Sequence, residues 1–120
     1  MVYPSFLLAK LYVKGSLKNV EGGFEFSLKN LIDSTMLSGI GPVAAGGKSY
    51  DAAAIAVTVG ERRWEAGELS PSNAVPVPVG VPLRISVRGD PLAPGQQRVN
   101  VAATSSDVGL LKFDISDTVA

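Results

Sequence analysis

Apolar and polar side chains alternate at every second position along most of this chain, and that period restricts it to one kind of fold. Successive residues of a strand point to opposite faces, so the alternation marks sheets with one buried and one solvated face. In "LLAKLYVKGSL", Leu7, Ala9, Leu11, Val13 and Leu17 share one face, while Lys10, Tyr12, Lys14 and Ser16 share the other. "NVEGG" supplies glycines for a turn, and the chain returns through "FEFSLK" with Phe24, Phe26 and Leu28 inward. Two alternating runs around a short glycine loop predict a hairpin.

The pattern recurs downstream. "AIAVTV" offers Ile55, Val57 and Val59; "LRISVR" offers Leu83, Ile85 and Val87; "RVNVAAT" offers Val99, Val101 and Ala103; "LLKFDIS" offers Leu111, Phe113 and Ile115. "DPLAPGQQ" and "TSSDVG" between them are rich in turn formers. The alternate prolines of "SPSNAVPVPVGVP" forbid a central strand and fit an extended edge or crossover. "SYDAAAIAV" carries alanine-rich helical propensity with Ser49 as a candidate N-cap, so a helical turn over Asp51–Ala54 stays open beside a strand from Ile55. The expected fold is all-β, an antiparallel β-sandwich of about 7–9 short strands with little or no helix. Residues 1–120 form a single domain, since 120 residues enclose one core but not two.

Composition limits the chemistry. Hydrophobic residues make up 46% and charged residues 18%, the balance of a packed rather than a disordered chain. Lysine plus arginine equals aspartate plus glutamate at 11 each, so a nucleic-acid coat or an anionic-membrane coat is not expected. The chain has no cysteine and no histidine. Disulfides, thiolate nucleophiles, a Ser-His-Asp triad and histidine metal ligands are thereby excluded. No cofactor is expected, no metal site, and no catalytic residue set. "FLLAKLYV" carries Lys10 and lacks a charged leader and a cleavage site, so it reads as a strand rather than a signal peptide, and no apolar run spans a bilayer. The expected location is cytoplasmic. The missing cysteine and the 8 prolines also suit a thermophilic source.

"GPVAAGGKSY" (41–50) ends like a phosphate-binding loop. That loop needs a glycine, four residues, then Gly-Lys-Ser, so that consecutive amides wrap a phosphate where a helix begins. The position required to be glycine is Pro42, which has no amide proton. The stretch reads instead as a hairpin with Gly46–Gly47 at its tip.

Other groupings each have a plain structural reading. Arg88-Gly89-Asp90 spells an adhesion tripeptide, but Gly89, Asp90 and Pro91 are ordinary turn chemistry after a strand. Lys10, Tyr12, Lys14 and Lys18 interleave charge with one ring, as single-strand nucleic-acid binders do, although a solvated lysine face that blocks edge pairing explains them better. Glu61, Glu65 and Glu68 with Arg62 and Arg63 surround Trp64. Carboxylates beside an aromatic suit acid/base chemistry or a sugar site, although a charged loop capped by a tryptophan that closes the open end of the sandwich explains them better. Asp107, Asp114 and Asp117 match no defined cation loop. Ser105 and Ser106 have no histidine base.

The succession "SLKNVEGGFEFSLKN", "AAGGKSYD", "GERRWEAGEL" and "DPLAPGQQRVNVAATSS" resembles the layout of the small β subunits of C-glycoside deglycosidases, and also small archaeal proteins of this length. In that family the β subunit is a sandwich and the catalytic residues belong mainly to the larger subunit. The resemblance therefore implies a sandwich with a non-catalytic role.

The expected function is a non-catalytic interaction or structural module, self-associating or the small subunit of a larger protein assembly. "AAAIAV" and "AVPVPVGVP" are the segments expected to present apolar surface to a neighbour. The alternative is a protein that binds, or acts on, a carbohydrate or phosphate ligand through Trp64 with Glu61, Glu65 or Glu68, or through Lys48.

Overall fold

The structure is a computed structural model that describes residues 8–31, 34–107 and 109–119. Among them run ten strands: β1 (Lys18–Val20), β2 (Gly23–Lys29), β3 (Thr35–Ala45), β4 (Lys48–Tyr50), β5 (Ile55–Val59), β6 (Arg62–Glu65), β7 (Val75–Val77), β8 (Pro82–Arg88), β9 (Gly95–Ser105) and β10 (Gly109–Val119). One sheet has the order β1-β2-β8-β5-β6. The other has the order β10-β9-β3-β4, with β7 also paired to β3. All pairings are antiparallel. The fold is the expected all-β sandwich, with β3, β9 and β10 longer than the short strands foreseen.

The alternation that predicts the sheets also fills the space between them. Phe24, Phe26 and Leu28 of β2 oppose Val87, Ile85 and Leu83 of β8, all buried. Val99, Val101 and Ala103 of β9 face the same core from the second sheet, beside Phe113 and Ile115 of β10. Gly23 is imposed by packing, because a Cβ there would overlap the Val87 carbonyl oxygen of the neighbouring strand.

The segment from Leu8 to Leu17 departs from the expected strand. Leu8 and Ala9 lie in a helical turn, closed by hydrogen bonds from Leu11 N to Leu8 O and from Tyr12 N to Ala9 O. Leu-Ala-Lys-Leu is good helix-forming sequence, and Leu8 and Leu11, three apart, both face inward. Only around Tyr12 does the chain pair with β2, through Val13 N to Ser27 O, Lys29 N to Leu11 O and the Tyr12–Leu28 bridge. Val13 is exposed, and Leu7 lies outside the described residues.

β3 was not evident from the sequence, and its burial pattern shows why. Leu37, Ile40, Val43 and Ala45 are its buried apolar residues, spaced three, three and two apart. The register against β9 slips between Leu37 and Gly39 and again between Ile40 and Val43, where Gly41 and Pro42 sit. Each bulge adds a residue and erases the two-residue period.

The loop at 46–47 turns a corner, as expected. Ala45 pairs with Lys48, and Gly46 and Gly47 have φ of 61° and 80°, the conformation of a two-residue hairpin turn. A 3-10 turn covers Ala52–Ala54, but its N-cap is Asp51, which accepts from Ala53 N; Ser49 lies in β4. Pro76 sits in the three-residue β7, which pairs on one side with the start of β3.

Candidate functional site

A cavity of about 340 Å³ lies between the sheets. Its depth is formed by apolar residues of both layers, including Leu28, Ile85, Val101 and Phe113. Polar groups gather where it meets solvent: Asn30 after β2, Ser34 and Thr35 at the start of β3, and Ser105 and Asp107 at the end of β9. Ser34 and Asp107 are exposed, whereas Asn30 and Ser105 are buried. An apolar pocket with a few convergent polar groups has the form of a binding site.

Local structure sets those polar groups. Ser105 continues the inward parity of Val99, Val101 and Ala103 to the last residue of β9, and it faces Leu37 of β3. Its Oγ lies 2.7 Å from Thr35 Oγ1 and accepts from Asp107 N at 3.1 Å. Thr35 Oγ1 in turn donates to Asp107 Oδ2 at 2.7 Å. Because Thr35 gives its proton to the carboxylate, the Ser105 hydroxyl donates to Thr35, and the three groups form an ordered chain ending on an anion. Asn30 Nδ2 donates to Val77 O at 3.0 Å and ties β2 to the end of β7. Among the described lining residues, only Asp107 is charged.

Exposed apolar side chains stand close in sequence to several of the lining residues. Among the described residues, Leu31 (59% exposed), Met36 (41%), Val79 (51%) and Leu110 (57%) are the most exposed large apolar side chains. Leu31 follows Asn30, Met36 lies between Thr35 and Leu37, Leu110 precedes Leu111, and Val79 is two residues past Val77; all these neighbours line the cavity. Val79 N also donates to Ser34 Oγ. Of the two runs expected to show apolar surface, "AVPVPVGVP" does so through Val79. The other does not: Ile55, Ala56 and Val57 are buried by pairing with β6 and β8.

The residues singled out from sequence lie elsewhere. Trp64 is on the edge strand β6, not in a loop, and is buried opposite Val57, with the Arg62 guanidinium 4.6 Å from its ring centroid. Glu61 is in the turn before β6, and Glu68 is in the 3-10 turn Ala66–Glu68 after it. Glu65 takes a hydrogen bond from Arg88 at 3.0 Å and one from Arg63 at 3.3 Å. The Arg88 contact above all holds its carboxyl below the usual glutamate value. None of these residues lines the cavity.

Lys48 borders a second, shallower hollow with Arg98 and Asn100, and its ammonium is paired with Asp90. The pairing raises the Lys48 pKa and lowers that of Asp90. With Arg88 on Glu65 and Gly89 packed so closely on Tyr50 that a Cβ would overlap the ring, each residue of the adhesion-like tripeptide has a structural contact.

The three aspartates are likewise engaged separately. Asp107 belongs to the cavity, Asp114 accepts from Asn100, and Asp117 accepts from Tyr12 and Gly15. Among the described residues no group of three or more carboxylates could hold a metal ion. Tyr12 is half-buried with its hydroxyl engaged, so its ring is no open stacking platform. No helix among the described residues is long and apolar enough to cross a membrane.

The cavity was missed because its polar members are scattered through the sequence. Ser105 and Asp107 were noticed, but as a nucleophile without a base and as a stray cation ligand. The available signal was parity, which carries Ser105 inward with the valines of its strand.

Comparison with known proteins gives an extensive family match and distant structural ones. A family described as the hydroxymethylglutaryl-CoA reductase N-terminal domain matches residues 7–120. Among solved structures, a family 123 glycoside hydrolase from Clostridium perfringens, studied for glycolipid glycan hydrolysis, is 10% identical with a TM-score of 0.37. The alignment covers 82% of this chain and 21% of the hydrolase, so the chain spans about a fifth of that protein. The N-terminal domain of PorA is 13% identical over 86% of this chain and 84% of its own, with a TM-score of 0.35. Scores this low bear on neither function nor partner. No curated protein matches the chain in sequence. Nothing in these comparisons confirms the deglycosidase resemblance. The family match spans nearly the whole chain, and the protein belongs to the family of hydroxymethylglutaryl-CoA reductase N-terminal domains.

Proposed function

We propose that this domain is a non-catalytic interaction module that packs against the remainder of a reductase-type assembly through the cavity end of its sandwich. The observation that carries the reading is the set of exposed apolar side chains next or next but one in sequence to residues that line the cavity, Leu31, Met36, Val79 and Leu110. Exposed apolar groups drawn to one region of a small domain mark contact surfaces, because water gains when they are covered. The family description adds the class of partner, since it names an N-terminal domain of a larger enzyme. The candidate acid and base groups support a structural role. Glu65, Lys48, Asp90, Asp114 and Asp117 each have a partner within the domain.

Sedimentation of this domain with the remainder of the reductase, supplied as a separate chain, tests the proposal. The expected result is a complex that the double substitution Met36→Glu and Leu110→Glu abolishes while the fold is kept. Separate sedimentation of the two proteins at all concentrations, or a complex indifferent to the double substitution, overturns it.

A further inference from the structure

We infer that the inter-sheet cavity is a binding site for a slender apolar molecule whose head donates a hydrogen bond, a hydroxyl or an ammonium rather than a carboxylate or phosphate. The inference is separate from the docking role and concerns the interior of the sandwich.

Size comes first. A cavity of about 150 Å³ holds a benzene-sized molecule. At about 340 Å³ this one is a little more than twice as large, which accommodates an apolar chain of about ten carbons. The lining is chemically two-ended. Leu8, Leu28, Ile85, Val101 and Phe113 offer no hydrogen bond from their side chains, so the deep end rewards hydrocarbon and repels water. The other end carries the hydroxyl chain from Ser105 through Thr35 to Asp107.

Charge then selects the head. Among the described lining residues there is no lysine or arginine, and the one ionisable group is the exposed carboxylate of Asp107. An anionic head would meet a like charge with no cation to offset it. A hydroxyl or an ammonium can donate to the Asp107 oxygens, and the bond to a charged acceptor is the stronger kind. The Thr35 hydroxyl is already committed as a donor to Asp107, so it holds the carboxylate in position for the ligand.

The test uses decylamine, 1-decanol and decanoate below their micelle-forming concentrations, titrated into the chain by calorimetry and followed by thermal melting. Decylamine and decanol are expected to bind saturably at one site and raise the melting midpoint, as any ligand of the folded state does. Decanoate is expected to bind at least tenfold more weakly. Asp107→Asn should narrow the amine-to-decanoate preference, and Ala103→Leu, which adds bulk inside the cavity, should abolish binding. The Asp107→Asn comparison keeps the inference testable if the Ala103 variant does not fold. Absence of saturable binding by the amine and the alcohol overturns the inference. So does equal affinity for decanoate, or an amine preference unchanged in Asp107→Asn.

Discussion

The Tyr12 hydroxyl donates to Asp117 Oδ2 at 2.6 Å, joining the N-terminal segment to the last strand across 105 residues of sequence. The same tyrosine oxygen accepts from Leu17 N at 2.9 Å, and the same carboxylate oxygen accepts from Gly15 N at 2.6 Å. Because the segment around Tyr12 pairs with β2 in one sheet and Asp117 belongs to β10 in the other, the contact links the two layers at their edges.

Tyr12→Phe removes the donor and leaves the Asp117 oxygen and the Leu17 amide short of a partner. A loss of about 1 kcal/mol in unfolding free energy is expected from the net value of such bonds. Urea denaturation should show a lowered midpoint with an unchanged slope.

Acid should weaken the fold through identified carboxylates. The Tyr12 hydrogen bond above all lowers the pKa of Asp117 from its ordinary 3.8, and the Arg88 contact lowers that of Glu65 from 4.5. A folded-state pKa below the unfolded value contributes stability that is complete above the unfolded value and lost as pH falls through the folded one. Melting temperature should therefore be flat near neutrality and decline below about pH 4. Asp117→Asn should make that decline shallower.

Tyr12 itself acts at the opposite end of the scale. Burial first, and then the bond to Asp117, raise its pKa above 10.0. Its contribution is complete below that value and falls as pH rises through the folded-state pKa. Wild type should lose stability in strong alkali relative to Tyr12→Phe, read as convergence of their melting temperatures.

Two glycines separate packing from backbone conformation. Gly23→Ala drives a methyl into the Val87 carbonyl of β8 and should cost about 3 kcal/mol or more. Gly47→Ala meets open space but must hold φ near 80°, which should cost about 1 kcal/mol. Chemical denaturation of both variants measures the difference.

Legibility of this chain followed its period. β2, β5, β8, β9 and β10 were readable because Phe24 to Leu28, Ile55 to Val59, Leu83 to Val87, Val99 to Ala103 and Leu111 to Ile115 alternate, with only the small Ala56 and Ala102 out of pattern. β3 was not, since its bulges at Leu37–Gly39 and Ile40–Val43 break the count. The Leu8–Leu11 turn was misread because Leu8 and Leu11, three apart, fit a helix while alternate positions nearby also fit a strand. The cavity was unreadable as a unit. Thr35 and Ser105 are 70 residues apart and meet only through the pairing of β3 with β9, while Asn30 follows β2 of the other sheet.

Hydrogen–deuterium exchange on this domain, alone and in complex with the remainder of the reductase, tests the docking proposal most directly. The account predicts added protection confined to the backbone near Leu31, Met36, Val79 and Leu110. Protection centred on the Trp64 strand, or no change anywhere on complex formation, would contradict it.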